Sequence, residues 1–141
     1  MMSVKIVVVD DDRTTLALLE KNLIMRGFWV YSAKDGLEGW ELIKKEEPDL
    51  VISDILMPKL HGLDLCKKIK ESPEFQNIKV IIMTGVFKSS MGRQEAMREG
   101  ADEFIIKPIN MELLLKRIFS LLNIDEAEFS KEYVKHKTDD D

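Results

Sequence analysis

The chain has 141 residues, of which 45% are hydrophobic and 33% are charged, a composition typical of one soluble globular domain and not of a disordered or fibrous chain. Its formal net charge of −5 argues against direct binding to nucleic acid, which needs a basic surface. The single cysteine, Cys66, excludes an internal disulfide, and no stretch approaches the roughly 20 apolar residues that cross a bilayer, so we expect a cytoplasmic protein without a membrane anchor.

Short apolar runs alternate along the chain with segments whose apolar residues have helical spacing. In chain order these predict strand 6–9, helix 14–26, strand 28–32, helix 36–47, strand 50–52, helix 63–71, strand 80–83, helix 90–99, strand 104–106 and a last helix capped by Asn110. Continuous β-branched runs are typical of strands buried on both faces of a parallel sheet, whereas the mixed run 28–32 favours an edge strand. Helix 14–26 ends before Gly27, which suits a left-handed closing residue. The second helix is expected to present an apolar stripe of Leu37, Trp40 and Ile43 and to end before Pro48.

This alternation predicts an α/β protein with a (βα)5 arrangement. Alternating strands and helices with short connections imply right-handed crossovers and a parallel sheet with helices on both faces. In such an open sheet the functional site lies at the carboxyl ends of the strands, near the point where the strand order reverses. We expect residues 1–123 to form the domain. Residues 124–141, with seven acids and three lysines, are expected to form a charged tail that is helical in part or begins a linker.

Polar side chains follow four of the five predicted strands and should meet at one edge of the sheet. They are Asp10, Asp11 and Asp12 after the first strand, Asp54 after the third, Thr84 after the fourth and Lys107 after the fifth. Carboxylates gathered at one point raise one another's pKa unless a cation joins them. Oxygen ligands completed by water suit octahedral Mg²⁺ better than Ca²⁺. The sequence therefore predicts a magnesium site.

A metal beside a carboxylate and a lysine also suits a phosphoryl group. Phosphoryl transfer needs neutralisation of charge and in-line positioning more than it needs acid–base chemistry. Lys107 can supply positive charge, and the hydroxyl of Thr84 can donate a hydrogen bond to a phosphoryl oxygen. No Ser-His-Asp or Cys-His arrangement is evident in the sequence, so the nucleophile must be a carboxylate. Asp54, at the end of the central strand, is the best placed.

Four segments taken together resemble the response regulator receiver domains of two-component signalling. They are VVVDDD (7–12), LVISDILMPKLHG (50–62), VIIMTG (80–85) and GADEFIIKP (100–108). The resemblance extends from residue 4 to about residue 122 and is specific as a set. It implies the doubly wound, flavodoxin-like fold of the chemotaxis-regulator type, with a five-stranded parallel sheet of order 2-1-3-4-5.

The resemblance also implies which residues bind the phosphoryl group and the metal. Asp54 matches the phosphoacceptor, which is also a ligand of Mg²⁺. Asp11 matches the direct metal ligand, and Asp10 matches an acid that acts through water. Leu56 matches the position whose backbone carbonyl completes the protein ligands, and Lys107 matches the phosphate-binding lysine.

A switch and a set of partners are implied in the same way. Thr84 matches the switch hydroxyl and Phe104 the switch aromatic, whose ring is expected to turn inward when Thr84 moves toward the phosphoryl group. The phosphoryl donor would be a phosphohistidine on a sensor histidine kinase or histidine phosphotransferase. The signal would leave through the face made by helix four, strand five and helix five. That face would contact a downstream protein or an attached effector domain, and it permits a homodimer.

The implied protein is a signalling protein and not an enzyme, although it takes part in its own phosphorylation and dephosphorylation. Leu56 and Val86 match the positions that flank the path of the hydrolytic water in the family. Both side chains are apolar and cannot orient a water molecule. We therefore expect slow self-dephosphorylation.

Two other functions fit part of the pattern. Residues 10–14 (DDDRT) satisfy the DxDxT motif of haloacid-dehalogenase-type phosphatases, with Asp10 as nucleophile and Asp12 as acid/base. That interpretation gives Asp54 no role, and the later acidic motif of that family is missing. A purely protein-binding domain that has lost phosphorylation is a further alternative, although every expected phosphorylation residue is present.

Several residues have simpler interpretations. Asp12 is expected to cap a helix or to act as an outer charge. Cys66, His61 and His136 lack partners at metal or catalytic spacing and are expected to be structural or exposed. The chain itself is either a single-domain regulator or the receiver part of a longer regulator or hybrid histidine kinase.

Overall fold

The computed structural model describes residues 3–85 and 89–132, and for residues 89–91 it describes the backbone alone. Within these residues five strands alternate with five helices. The strands are β1 (Lys5–Val9), β2 (Trp29–Ala33), β3 (Leu50–Asp54), β4 (Lys79–Thr84) and β5 (Glu103–Ile106). The helices are α1 (Arg13–Met25), α2 (Gly36–Glu46), α3 (Gly62–Glu71), α4 (Ser89–Arg98) and α5 (Met111–Leu121). The predicted alternation is confirmed, with bounds that differ by one or two residues.

The five strands form one parallel sheet of order β2-β1-β3-β4-β5, as the sequence predicted. β1 pairs with β2 on one side and with β3 on the other. The strand order therefore reverses between β1 and β3, because β2 lies on one side of β1 and the later strands lie on the other. This is the switch point at which open α/β sheets bind ligands beyond the carboxyl ends of their strands.

Helices cover both faces of the sheet, and alternate strand residues point to each side. Ile6 and Val8 of β1 join a buried cluster with α1 and α5, whereas Val7 and Val9 join a second cluster with α2, α3 and α4. All four of these side chains are 0% exposed. Burial of one such side chain contributes roughly 1.5–3 kcal/mol, so the central strands are held firmly in place.

Helix ends follow the predicted capping residues. The side chain of Asp12 accepts a hydrogen bond from the backbone N–H of Thr14 at 3.1 Å, and Asn110 accepts one from Leu113 at 3.1 Å. After α1, Gly27 has a φ of 102°, in the left-handed region that favours glycine. These contacts fix where α1 and α5 begin and where α1 ends.

The buried stripe of α2 differs from the prediction. Leu37 is 50% exposed, and the buried residues of this helix are Gly36, Gly39 and Ile43. A Cβ atom on Gly36 would lie only 1.9 Å from the carbonyl oxygen of Leu60. The backbone of α2 therefore packs directly against its neighbours, and this close approach turns Leu37 toward solvent.

Part of the charged tail is helical and packs on the domain. Residues 126–132 form a helical segment, called here the tail helix. Phe129 is 3% exposed, and its ring centroid lies 4.9 Å from that of Phe28 and 5.5 Å from that of Phe119. The tail helix thus adds a side chain to the cluster between the sheet, α1 and α5. Within the described part of the chain, no helix has the length and apolar content needed to cross a bilayer.

Candidate phosphorylation site

Three carboxylates meet at the switch point of the sheet. Asp10 and Asp11 directly follow β1, and Asp54 is the last residue of the neighbouring strand β3. Asp10 is 0% exposed and Asp54 is 8% exposed, whereas Asp11 faces solvent. One carboxylate oxygen from each of the three lies within 4.8 Å of the others. The structure therefore brings together three of the four acids that the sequence predicted at this edge, whereas Asp12 does not join them.

Lys107, which follows the edge strand β5, also reaches this acidic group. Its Nζ lies 2.8 Å from Oδ2 of Asp10 and 3.6 Å from Oδ2 of Asp54. The Lys107–Pro108 peptide bond is cis. The backbone N–H of Lys107 donates to the carbonyl of Thr84 at 2.8 Å. Lys107 is therefore fixed at both its backbone and its ammonium group.

Backbone amides orient two of the carboxylates. The N–H of Asp12 donates to Oδ1 of Asp10 at 2.9 Å, and the N–H of Ile55 donates to Oδ1 of Asp54 at 3.0 Å. In each case the other oxygen, Oδ2, is the one that faces Lys107. The geometry of the chain after β1 and β3 therefore aims both carboxylates toward the same point.

Glycine allows α3 to begin close behind Asp54. A Cβ atom on Gly62 would lie 2.0 Å from the carbonyl oxygen of Asp54, and the N–H of Gly62 donates to the carbonyl of Ile55 at 2.8 Å. Any larger residue would displace the loop that carries Asp54. The sequence analysis did not predict this packing role. The signal for it was the glycine at position 62, directly before the predicted helix 63–71.

Burial and charge act together on Asp54. Burial raises the pKa of its carboxyl, the charges of Asp10 and Asp11 raise it further, and Lys107 and the Ile55 amide oppose them, so that the pKa is about 6. Burial alone would lower the pKa of Lys107, but the hydrogen bond to Asp10 and the charges of Asp54 and Asp10 outweigh it and raise the pKa. At neutral pH Asp54 is therefore largely ionised and Lys107 is protonated.

The residues present suit a divalent cation such as Mg²⁺. Three carboxylates carry three negative charges and Lys107 carries one positive charge, which leaves two negative charges at the site. Carboxylate oxygens are the ligands that hard ions prefer. Like charges held this close in a buried site repel each other, so a cation would stabilise the arrangement.

The two expected switch residues lie on neighbouring strands. Thr84, the last residue of β4, is 2% exposed and pairs in register with Ile106 of β5. The ring of Phe104, two residues earlier on β5, is buried, with the residue 3% exposed. The guanidinium carbon of Arg93 lies 5.4 Å from the centre of that ring, a contact that the sequence did not predict.

The positions expected to flank the hydrolytic water are described only in part. Leu56 lies in the turn after β3 and is 54% exposed, two residues beyond Asp54. Val86 lies outside the described residues.

The remaining candidate residues have structural positions where they are described. Asp12 caps α1, and its oxygen Oδ2 also accepts from the hydroxyl of Thr15 at 2.9 Å; this hydrogen bond and the Thr14 amide lower its pKa. Nδ1 of His61 accepts from the N–H of Leu63 at the start of α3. Cys66 is a buried free thiol whose pKa is raised by burial to about 11. His136 lies outside the described residues.

Comparison with known proteins places this arrangement in a family. The sequence model of the response regulator receiver domain matches residues 6–119. The response regulator MprA of Mycobacterium ulcerans is 34% identical over 128 residues, which are 90% of this chain and 53% of that protein. This chain thus spans about half the length of the curated relatives that it matches.

Solved structures agree with this similarity. A CheY-like response regulator receiver domain protein from Methanospirillum hungatei is 30% identical, with a TM-score of 0.80 over 93% of this chain and 99% of that one. The signal receiver domain of a signal transduction histidine kinase from Syntrophus aciditrophicus is also 30% identical, with a TM-score of 0.79 over 86% of this chain and 91% of that one.

Proposed function

The chain belongs to the response regulator receiver domain family of two-component signalling, and we propose that Asp54 is the residue on which it accepts a phosphoryl group. The observation that carries this proposal is the position of Lys107. Its ammonium lies within 3.6 Å of Asp54 and within 2.8 Å of Asp10, at the carboxyl edge of the sheet. A phosphoryl group on Asp54 would find a fixed positive charge beside it.

Each residue of the site has a proposed part in the transfer. An ionised oxygen of Asp54 attacks phosphorus and the bond between phosphorus and the donor histidine nitrogen breaks. The donor ring carries a proton on its other nitrogen, so the histidine leaves as a neutral imidazole. Lys107 neutralises charge on a phosphoryl oxygen, and the hydroxyl of Thr84 donates a hydrogen bond to another. Transfer of this kind depends chiefly on positioning and on charge neutralisation, which the fixed orientation of these side chains supports.

A bound Mg²⁺ would supply further charge neutralisation at the phosphoryl oxygens and between the carboxylates. Asp11 and Asp54 are the proposed direct ligands, with the backbone carbonyl of Leu56 as the third protein ligand. Asp10, which is buried and paired with Lys107, is proposed to act through water. The net charge of the site supports a divalent ion in this place.

The proposed partners follow from the family. Response regulators interact with sensor histidine kinases and with effector domains, and we propose a phosphohistidine of a kinase or histidine phosphotransferase as the donor here. The proposed output face consists of α4, β5 and α5, reached from the site through Thr84 and Phe104. The curated relatives are about twice as long as this chain, and the proposed effector is a separate downstream protein or an attached domain.

The contacts of the described residues do not support the phosphatase alternative. Its acid/base residue would be Asp12, but both oxygens of that carboxylate accept hydrogen bonds within the first turn of α1, from the Thr14 amide and the Thr15 hydroxyl. Asp12 is also absent from the group of carboxylates that converge with Asp54 among the described residues. We therefore retain the receiver function alone.

Phosphorylation with a small-molecule donor tests the proposal. Acetyl phosphate is added to the purified chain with Mg²⁺ or with a chelator, and the intact mass is measured. We expect an adduct of one phosphoryl group that requires Mg²⁺ and that is lost in Asp54→Asn. Asp12→Asn serves as the matched control and is expected to keep the adduct. An adduct that persists in Asp54→Asn would overturn the proposal.

A further inference from the structure

Two residues of α4 lie next to the ring of Phe104, and neither has a role in the proposed transfer. The guanidinium carbon of Arg93 lies 5.4 Å from the ring centre, within the range of a cation–π contact. Gly92 lies beside the ring edge, since a Cβ atom built on it would be 3.4 Å from Cζ of Phe104 and 3.7 Å from Cδ1 of Ile55. α4 thus supplies both a cation over the ring and an open position next to it.

An open cleft lies next to the buried ring of Phe104. A cleft of about 310 Å³ runs beside β5 between α4 and α5, and its lining includes Phe104, Arg93 and Leu113. Phe104 lines this cleft, so an outward rotamer would bring its ring toward the cleft. The contacts that the ring makes in its buried position oppose such a rotamer.

We propose that Arg93 is a positioning residue that holds the ring of Phe104 inward before phosphorylation, while Gly92 leaves the space that the ring occupies. The inference rests on the proposed function, in which Phe104 belongs to the switch. Its basis is the combination of a nearly fully buried ring, a guanidinium over its face and a glycine at its edge.

This arrangement changes how the signal reaches the output face. Both Gly92 and Arg93 belong to α4, so the position of the ring is coupled to this helix through these contacts. The ring does not turn from outside to inside, in contrast to the movement that the family resemblance implies.

Fluorine NMR on the full chain tests the role of Arg93. The six phenylalanines are replaced by 4-fluorophenylalanine, and the Phe104 signal is assigned from its loss in Phe104→Leu. The solvent exposure of that ring is read from its shift between light and heavy water, before and after addition of acetyl phosphate with Mg²⁺. The variants are Arg93→Met, which removes the charge, Arg93→Lys, which keeps a cation, and Arg98→Met as a control on the same helix.

We expect a shielded Phe104 ring in the wild type both before and after phosphorylation. Arg93→Met should raise the exposed population of the unphosphorylated protein about two- to fivefold, the shift that a solvent-facing cation–π contact supplies. Arg93→Lys should recover most of the shielding, and Arg98→Met should leave it unchanged. Gly92→Leu, which fills the space of the ring, should expose it more strongly than Arg93→Met does.

A ring that is exposed in the unphosphorylated wild type, or equal shielding in the wild type and Arg93→Met, would overturn the inference. The outcome is separable from the proposed function. If no phosphoryl group enters at Asp54, the proposed function fails, whereas ring exposure in the unphosphorylated variants still decides the role of Arg93.

Discussion

Lys107 and Asp10 form an ion pair at the bottom of the site, with Nζ of Lys107 only 2.8 Å from Oδ2 of Asp10. Asp10 is fully buried, and 97 positions separate the two residues in the chain. The pair therefore joins β1 to the loop after β5 and neutralises a carboxylate that has no access to solvent.

Lys107→Met should destabilise the metal-free protein by about 3 kcal/mol, the lower end of the roughly 3–5 kcal/mol lost when one partner of a buried ion pair is removed, because the Lys107 side chain is 21% exposed. Mg²⁺ should recover much of this loss, since a cation that binds only the folded state stabilises it. The free energy of unfolding in denaturant, measured with a chelator and with Mg²⁺, checks this. Lys107→Arg keeps the charge and is expected to lose less. An equal loss with and without Mg²⁺ would show that charge is not what Lys107 contributes.

Asp54→Asn should make the metal-free protein more stable at pH 7 to 8 but not below pH 4. Asp54 has a pKa of about 6 in the folded protein, raised by burial from 3.8, so the folded state binds more protons than the unfolded state between these values. Stability therefore falls as the pH rises through this window. The Asp54→Asn variant has a neutral amide at this position, so it does not lose this stability. The loss in the wild type is at most about 3 kcal/mol.

Thermal unfolding in a chelator across this pH range provides the measurement for Asp54→Asn. Glu95→Gln, at an exposed position of α4, is the matched control and should follow the wild type. A stabilisation by Asp54→Asn that is the same at pH 4 and pH 8 would contradict the assignment of the effect to the ionisation of Asp54.

Phe129→Ala should lower the free energy of unfolding by about 3 kcal/mol, as the truncation of a buried aromatic ring does. The ring of Phe129 packs on Phe28 and Phe119, and an ion pair between Arg26 and Glu126 lies at the same contact. Lys131→Ala, at an exposed position of the tail helix, is the control and should change stability little. If both variants unfold at the wild-type denaturant concentration, the tail helix is not part of the core in solution.

Leu56→Asn should shorten the lifetime of the phosphorylated protein, by roughly tenfold, because an amide can orient the attacking water and an apolar side chain cannot. Leu56 lies two residues beyond Asp54 and is 54% exposed, so the substitution leaves the core intact. The decay of the phosphoryl adduct after removal of the donor gives the lifetime. Lys59→Asn is the control in the same loop, where φ is 71° and asparagine is tolerated. Equal lifetimes for Leu56→Asn and the wild type would refute the expectation of a slow rate set by Leu56.

The sequence predicted the order and type of the elements because both signals are local. Runs such as Ile6 to Val9 are buried on both faces, and their composition alone indicates an interior parallel strand. Leu37 was placed wrongly because hydrophobic periodicity does not register glycine. Gly36 and Gly39 form the buried side of α2 through the absence of a side chain, and that becomes visible only with the neighbouring backbone in place.

The site could be predicted down to its residue types but not to its contacts. The acids and the lysine follow strand ends, so their convergence was expected from the fold. The closer contact of Lys107 with Asp10 than with Asp54 depends on side-chain geometry that no motif contains. The contact of Arg93 with Phe104 likewise joins two elements whose packing the sequence does not specify.

Identification of the modified aspartate decides whether Asp54 carries the phosphoryl group, on which the proposed function depends. Borohydride reduces an aspartyl phosphate to homoserine, so treatment of the acetyl phosphate-labelled chain, followed by proteolysis and mass spectrometry, locates the modified residue. We predict homoserine at position 54, formed only when Mg²⁺ was present during labelling. Homoserine at position 10, with Asp54 unmodified, would contradict the proposal and make Asp10 the nucleophile.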